Sequence, residues 1–248
     1  MTPPVDVYTD LAAEQDQLAA LLAGLSPADW EKPSAAAGWS VSDVLLHLAQ
    51  TEELVVMTVS GDTAGFEREP GGPSMDELAG QAVTAERGAA GDAVFNRWQH
   101  ARRAALAALR GCAQDRKLTW AAAPLSPKTL ATTRLAEHWA HALDIATPLG
   151  VPYPDTARLR HVAWLAMRTL PYAFTLTGQQ APSVRSELTA PGGELWRFGP
   201  DDAPAVISGP AGAFCRVAAQ RLPPGESGLT TQGPGAAEAL QLARTYAA

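Results

Sequence analysis

Cysteine is scarce. Of 248 residues two are cysteines, Cys112 and Cys215, far apart and without the spacing of a metal knuckle or a redox pair. That excludes a disulfide-stapled scaffold and a thiolate metal centre, and points to free thiols in a cytosolic setting. Lysine occurs only at Lys32, Lys117 and Lys128, and no arginine- or lysine-rich block makes up for it. At a net charge of −7 the chain lacks the basic surface that nucleic acid or an anionic membrane would select. No uncharged apolar run is long enough to cross a bilayer. Met1-Thr2-Pro3-Pro4 has neither the basic start nor the apolar stretch of a signal peptide. What is present is a globular balance, 46% hydrophobic and 18% charged, with ample core for one large domain or two small ones. The expectation is a cytoplasmic protein whose partner is a small molecule.

The first part of the chain reads as helices. Residues 6–25 carry Val7, Leu11, Leu18, Leu21, Leu22 and Leu25 on a helical stripe. Ser26-Pro27 opens a short capped turn. Ser40, with Asp43 three residues on, caps a second helix over 41–59. Residues 61–73 form a polar, Gly/Pro-rich connection. Ser74-Met75-Asp76-Glu77 is a capping box that starts a long helical region reaching Arg110, with Gly88 and Gly91 as points of interruption and Gly111 as its C-cap. Ser126-Pro127 begins a helix that ends at Gly150, and another runs over 156–177, where Pro171 is expected to kink it. After Gly178 the period changes. Residues 184–189 and 194–198 alternate as strands about a Pro191-Gly192-Gly193 turn. A third strand is expected at 205–208, a helix at 212–222, a strand at 229–232 and a last helix at 236–247. The fold class read from this is α+β, a helical bundle over 1–178 followed by a small α+β domain over 179–248.

The chemistry concentrates in Leu135-Ala136-Glu137-His138-Trp139-Ala140-His141-Ala142. Glu137 and His141, four residues apart on a helix, share one face. His47 lies among Val44, Leu45, Leu46 and Leu48, where a lone imidazole is costly. Two histidines and one carboxylate leave coordination positions open, the arrangement of a catalytic metal site in a helical bundle. Taken alone, a glutamate and histidine at this spacing are an ordinary surface pair. The apolar surroundings of both segments favour the metal reading. His138, about 100° around the helix from Glu137, cannot share that face and is expected behind the ligands or at the surface. His161 lines the pocket or belongs to an ordinary amphipathic helix, and His100 is expected in solvent. Neither cysteine has the neighbours of a nucleophile.

Gly38-Trp39-Ser40-Val41-Ser42-Asp43-Val44-Leu45-Leu46-His47-Leu48 resembles the Gly-Trp-(Ser/Thr)-Val-x-Asp-x-x-x-His-Leu signature of DinB-like metalloenzymes. More specifically, it resembles their mycothiol-dependent maleylpyruvate isomerase branch. Glu137-His138-Trp139-Ala140-His141-Ala142-Leu143-Asp144 is similar to that branch's Glu-x-Trp-x-His-x-x-Asp segment. The resemblance implies that His47, Glu137 and His141 bind a divalent metal, usually zinc, and that mycothiol is the cosubstrate. It implies a four-helix metal bundle followed by a small C-terminal α/β domain similar to sterol-carrier folds, which Glu194-Leu195-Trp196-Arg197-Phe198-Gly199-Pro200 and the stretch from Gly209-Pro210 to Gln220-Arg221 fit. His138, Ala142 and Thr147-Pro148 depart from the pattern, and nothing in it specifies maleylpyruvate.

The reaction so implied is addition of a thiolate to an electrophilic carbon of a small substrate. Expulsion of the thiol after bond rotation gives isomerisation, and its retention gives S-transfer. A carboxylate or enolate substrate calls for a cation. Arg221 and Arg103 are the catalytic candidates, with Arg168 behind them, each of them otherwise a surface ion pair. The alternatives are a metal-dependent hydrolase without thiol, oxygen chemistry at non-haem iron, and a non-catalytic protein that holds a small ligand. A monomer or homodimer is expected.

Overall fold

Short polar side chains set where most of the helices begin. Asp6 accepts hydrogen bonds from the amides of Tyr8 and Thr9 and starts α1 (Val7–Leu22). Ser26, Ser40 and Ser74 pair with Asp29, Asp43 and Glu77 in reciprocal capping boxes. These head α2 (Pro27–Trp30), α3 (Val41–Ser60) and α4 (Met75–Glu86), satisfying amides that a helix cannot satisfy itself. α5 (Gly91–Gly111) has no side-chain cap. Ser126 caps α6 (Pro127–Leu149), with Pro127 where a missing amide costs nothing, and Gly150 closes it in the left-handed region.

These elements come from a computed structural model that describes residues 6–63, 72–121 and 123–246. Met1-Thr2-Pro3-Pro4 and most of the 61–73 connection lie outside them. The chain separates into two units, the first ending at Tyr153 and the second spanning Pro154–Tyr246. In the first, α1, α3, α5 and α6 pack on one another, with α2 and α4 against α3. Leu11, Leu18, Leu45, Leu48, Trp98, Leu109, Leu130 and Trp139 are almost wholly removed from water there.

The helical region expected over 74–110 is interrupted where Gly88 and Gly91 were expected to break it, and forms two helices. Gly91, the first residue of α5, has to be glycine, because a Cβ there would stand 2.2 Å from Cγ of Trp30. The chain turns ahead of that contact through Gly88, at φ +105°. Gly111 is the last residue of α5 and Cys112 is its cap, one residue later than expected.

The second unit holds α7 (Leu159–Thr175), β1 (Val184–Thr189), β2 (Leu195–Phe198), β3 (Ala205–Pro210), α8 (Ala211–Ala218), β4 (Thr230–Gln232) and α9 (Ala236–Leu242). Its sheet has the order β2-β1-β3-β4. β1 and β3 run parallel, and β2 and β4 are antiparallel to their neighbours. In β1, Val184, Ser186 and Leu188 are buried while Arg185 and Glu187 are half-exposed, the alternation that marked the strand in the sequence. The mixed architecture, helices first and a small sheet after, is the α+β class expected.

The boundary expected at 178/179 followed the change from helical to strand periodicity. The compact units instead divide after Tyr153, because α7 packs with α8, α9 and β2. Pro171 lies inside α7 without ending it. α8 stops short of the expected 222 because Gln220 turns into the left-handed region (φ 61°), its amide side chain donating to the carbonyls of Val217 and Ala243. α9 likewise stops at Leu242. Among the described residues no helix is long and apolar enough to cross a membrane.

Candidate metal centre

α6 is buried on most of its circumference, yet a polar stripe runs along it: Arg134, Glu137, His138, His141 and Asp144. Their spacing of three and four residues sets them one turn above another. Polar groups so placed need partners, and each has them.

Glu137 and His141 meet His47 of α3. Glu137 Oε2 is 3.4 Å from His141 Nε2 and 4.0 Å from His47 Nε2. One ligand atom from each of the three residues lies within 4.8 Å of the others. Two ligands of one tetrahedral zinc ion stand about 3.4 Å apart. The Glu137–His141 edge already has that length, and the His47 edge needs an inward shift of roughly half an ångström. The side chains of His47, Glu137 and His141 are 12%, 26% and 11% exposed, so the cluster is reachable from solvent. A borderline cation that takes nitrogen and oxygen donors fits this set, with a position left for an outside ligand.

The two imidazoles are held differently. His141 Nδ1 lies 3.0 Å from Asp144 Oδ2. The carboxylate can only accept, so Nδ1 donates and Nε2 is left to face Glu137. Asp144 is itself buried, and its carbonyl accepts from the amide of Ala35. His47 has the half-buried indole of Trp39 beside it, ring centroids 5.2 Å apart, and the same indole stacks at 6.4 Å on His141. The two imidazoles meet edge to face at 5.0 Å.

The charges follow from these contacts. Burial alone would raise the Glu137 carboxyl, but hydrogen bonds from His141 and His47 and the nearby charge of Arg134 hold it well below the usual carboxylate range. Burial drives His47 below the ordinary histidine value, only partly opposed by Glu137. Burial works against protonated His141 too, but Asp144 and Glu137 overcome it and raise that group. Without metal, a proton is therefore held best on the imidazole between two carboxylates.

Behind the cluster lies a second polar group. Arg134 Nε donates to Glu52 Oε1 at 2.9 Å and Nη2 to Thr51 Oγ1 at 2.6 Å, with both charged side chains almost fully buried. His138, expected behind the ligands or at the surface, is fully buried behind them. Trp98 Nε1 donates to its Nε2 at 3.1 Å, so its Nδ1 is the donor to the Arg134 carbonyl at 2.8 Å. Burial and the charge of Arg134 keep this ring far below the usual histidine range, and it is neutral.

The other candidates are not in the cluster. Arg103 is exposed on α5, and His100 is exposed as expected. His161, Arg168 and Arg221 belong to the second unit, where an Arg221 guanidinium nitrogen donates to the carbonyl of Ala219. Cys215 is buried beneath the Leu159 carbonyl, and burial pushes its thiol far up, so it is no nucleophile. Four supporting residues, Asp144, Trp39, Arg134 and Glu52, were given no role from sequence. Asp144, three residues after His141, and Trp39 stand inside the two quoted motifs, and spacing was the signal available for Asp144. Charge in an apolar helix was the only signal for Glu52 and Arg134.

Comparison with known proteins adds the following. A family model described as the mycothiol maleylpyruvate isomerase N-terminal domain matches residues 11–146. Uncharacterized proteins from two strains of Mycobacterium tuberculosis are each 34% identical over 260 residues, an overlap of 100% of this chain and 97% of theirs. Among solved structures, the crystal structure of the mycothiol-dependent maleylpyruvate isomerase is similar, with a TM-score of 0.60 and 20% identity. A histidine-to-alanine mutant of the mycothiol-dependent maleylpyruvate isomerase gives 0.62 and 19%. Each match covers 92% of this chain and 95% of the other. At that identity the likeness is one of fold.

Proposed function

The chain belongs to the mycothiol maleylpyruvate isomerase N-terminal domain family, and from that premise we propose that it is a metal-dependent enzyme using mycothiol as cosubstrate. Its reaction is isomerisation of a small electrophilic substrate or transfer of the thiol to it, in the cytoplasm. The observation that carries this reading is the convergence of His47, Glu137 and His141, with Asp144 fixing the tautomer of His141. A divalent cation in that set, zinc by the donor types, would supply the positive charge that favours thiolate over thiol near neutral pH. This chain's residues do the rest. Glu137 stays anionic and holds the two imidazoles around it. Asp144 keeps His141 Nε2 aimed inward. Trp39 walls one side of the cluster with an apolar face.

The chemistry at the substrate is addition of the thiolate to an electrophilic carbon. If rotation about the bond made single is followed by elimination, the thiol is regenerated and the substrate is isomerised. If elimination does not follow, an S-conjugate is the product. A carboxylate or enolate on the substrate calls for a cation, for which Arg221 and Arg103 are the candidates by residue type.

The test is metal content by mass spectrometry of the purified protein, beside Glu137→Ala, His47→Ala and His141→Ala. Near one zinc per chain is expected in the parent and most of it lost in each folded variant. Turnover of unsaturated acids that depends on added mycothiol completes the reading. Turnover that ignores thiol would replace it with metal-dependent hydrolysis, and stoichiometric metal retained in the variants would sink the site assignment.

A further inference from the structure

We propose that Trp39 is the positioning residue of His47, and that Arg87 is the clasp that keeps Trp39 in place; this rests on the metal reading of the cluster. The starting point is an asymmetry. His141 is oriented by a carboxylate on its Nδ1. Among the described residues no hydrogen bond holds Nδ1 of His47. The ring of His47 touches Glu137 at 4.0 Å, the edge of His141 and the indole of Trp39. A metal ligand whose second nitrogen is unheld needs another means of orientation. Packing against an aromatic face at a centroid distance of 5.2 Å supplies it, because that spacing is within the range of attractive ring contacts.

Trp39 is in turn fixed by its backbone. The turn that carries it is pinned at several points. Ser34 Oγ and the Ser34 amide both donate to the Trp39 carbonyl, at 2.8 and 2.9 Å. The Ala35 amide donates to the carbonyl of Asp144, the residue that holds the other imidazole. Arg87, in the connection between α4 and α5, reaches back across α3. Its Nη2 donates to the Gly38 carbonyl at 3.2 Å and its Nε to Asp43 Oδ1 at 3.1 Å. Asp43 is the capping-box carboxylate at the head of the helix that bears His47. One guanidinium therefore ties the turn of Trp39 to the start of the helix of His47, which sets the distance between the two rings. The rigid guanidinium holds both acceptors with two donors set at a fixed separation, which the single nitrogen of a lysine does not supply.

The test has one arm with metal and one without. In metal-free protein labelled with nitrogen-15 histidine, Trp39→Ala should shift and broaden the ring signals of His47 more than those of His141, whose Nδ1 stays on Asp144. In the second arm, Co2+ is titrated into apo-protein and followed by its visible bands. Trp39→Ala should weaken binding by about tenfold or more, the usual loss when the group that orients a ligand is removed. Trp39→Phe should restore most of that loss, and Arg87→Ala should show a smaller loss of the same kind. Arg87→Ala leaves the indole in the chain, so it also serves if Trp39→Ala does not fold. A folded Trp39→Ala or Arg87→Ala protein with parental His47 signals, cobalt affinity and cobalt spectrum would overturn the proposal. A parent that binds no Co2+ would overturn the metal reading instead, and the nitrogen-15 arm would still decide the role of Trp39.

Discussion

Glu137 carries its charge in a place where burial opposes one, and it does so because two imidazoles face it. The cost falls on His141, which keeps a proton more tightly than a free histidine does. A metal ion has to displace that proton. Below the raised pKa of His141, uptake therefore releases a proton, and affinity should rise about tenfold per pH unit. Above that pKa the dependence on His141 vanishes. His47, shifted downward, competes with a second proton only in more acid solution. Zinc affinity measured by competition with a chelator of known pH behaviour should therefore climb with a slope near one from about pH 6.5 and then level. A flat profile through that interval would mean that His141 is not a ligand.

Along α6, residues that look like one functional stripe do two different jobs. His141 and Glu137 face the solvent-reachable cluster, while Arg134 and His138 face inward and join α6 to α3 and α5. The Arg134–Glu52 pair is almost completely dry, and among the described residues nothing donates to Oε2 of Glu52. Removing one member of such a pair strands the other. Arg134→Met should lower stability in urea by about 3–5 kcal/mol, and the double variant Glu52→Gln with Arg134→Met should recover part of it. No recovery would mean that Arg134 acts by packing alone. The same elements show what was legible in the sequence. Ser40 with Asp43 and Ser74 with Glu77 were readable because a capping box spans four residues and needs nothing else. Glu137 and His141 were readable for the same reason. The interruption at Gly88 and Gly91 was readable from the glycines themselves, but the ring of Trp30 packed against Gly91 was not. Nor was the Glu52–Arg134 pair, whose members are 82 positions apart. Periodicity reports that a face is apolar but not what covers it, and so α7 was counted with the wrong neighbours.

At the scale of the whole chain, His47, Glu137 and His141, proposed as metal ligands, and their supports fall in the unit that ends at Tyr153, which also contains the stretch matched by the family model. Arg221 lies in the other unit. A chain ended after Tyr153 should fold and take up metal. A chain ended after Gly178 would carry α7 without α8, α9 and β2. Leu159, Val162, Leu165 and Phe174, buried in the complete protein, would lose those partners. Size-exclusion chromatography should find the first fragment monodisperse and the second aggregated. The reverse result would return the boundary to 178/179. The sheet of the second unit has a further property. Its outer strands are β2, with four residues, and β4, with three. Arg197 stands exposed on β2, and Gly199 and Gly233 bend the chain away just past the two strands. Each rim thus offers a foreign backbone only a few free amides and carbonyls in line, interrupted by charge and by turns. Edge-to-edge stacking into fibres has little to grip, so the unit remains safe from that fate even when concentrated.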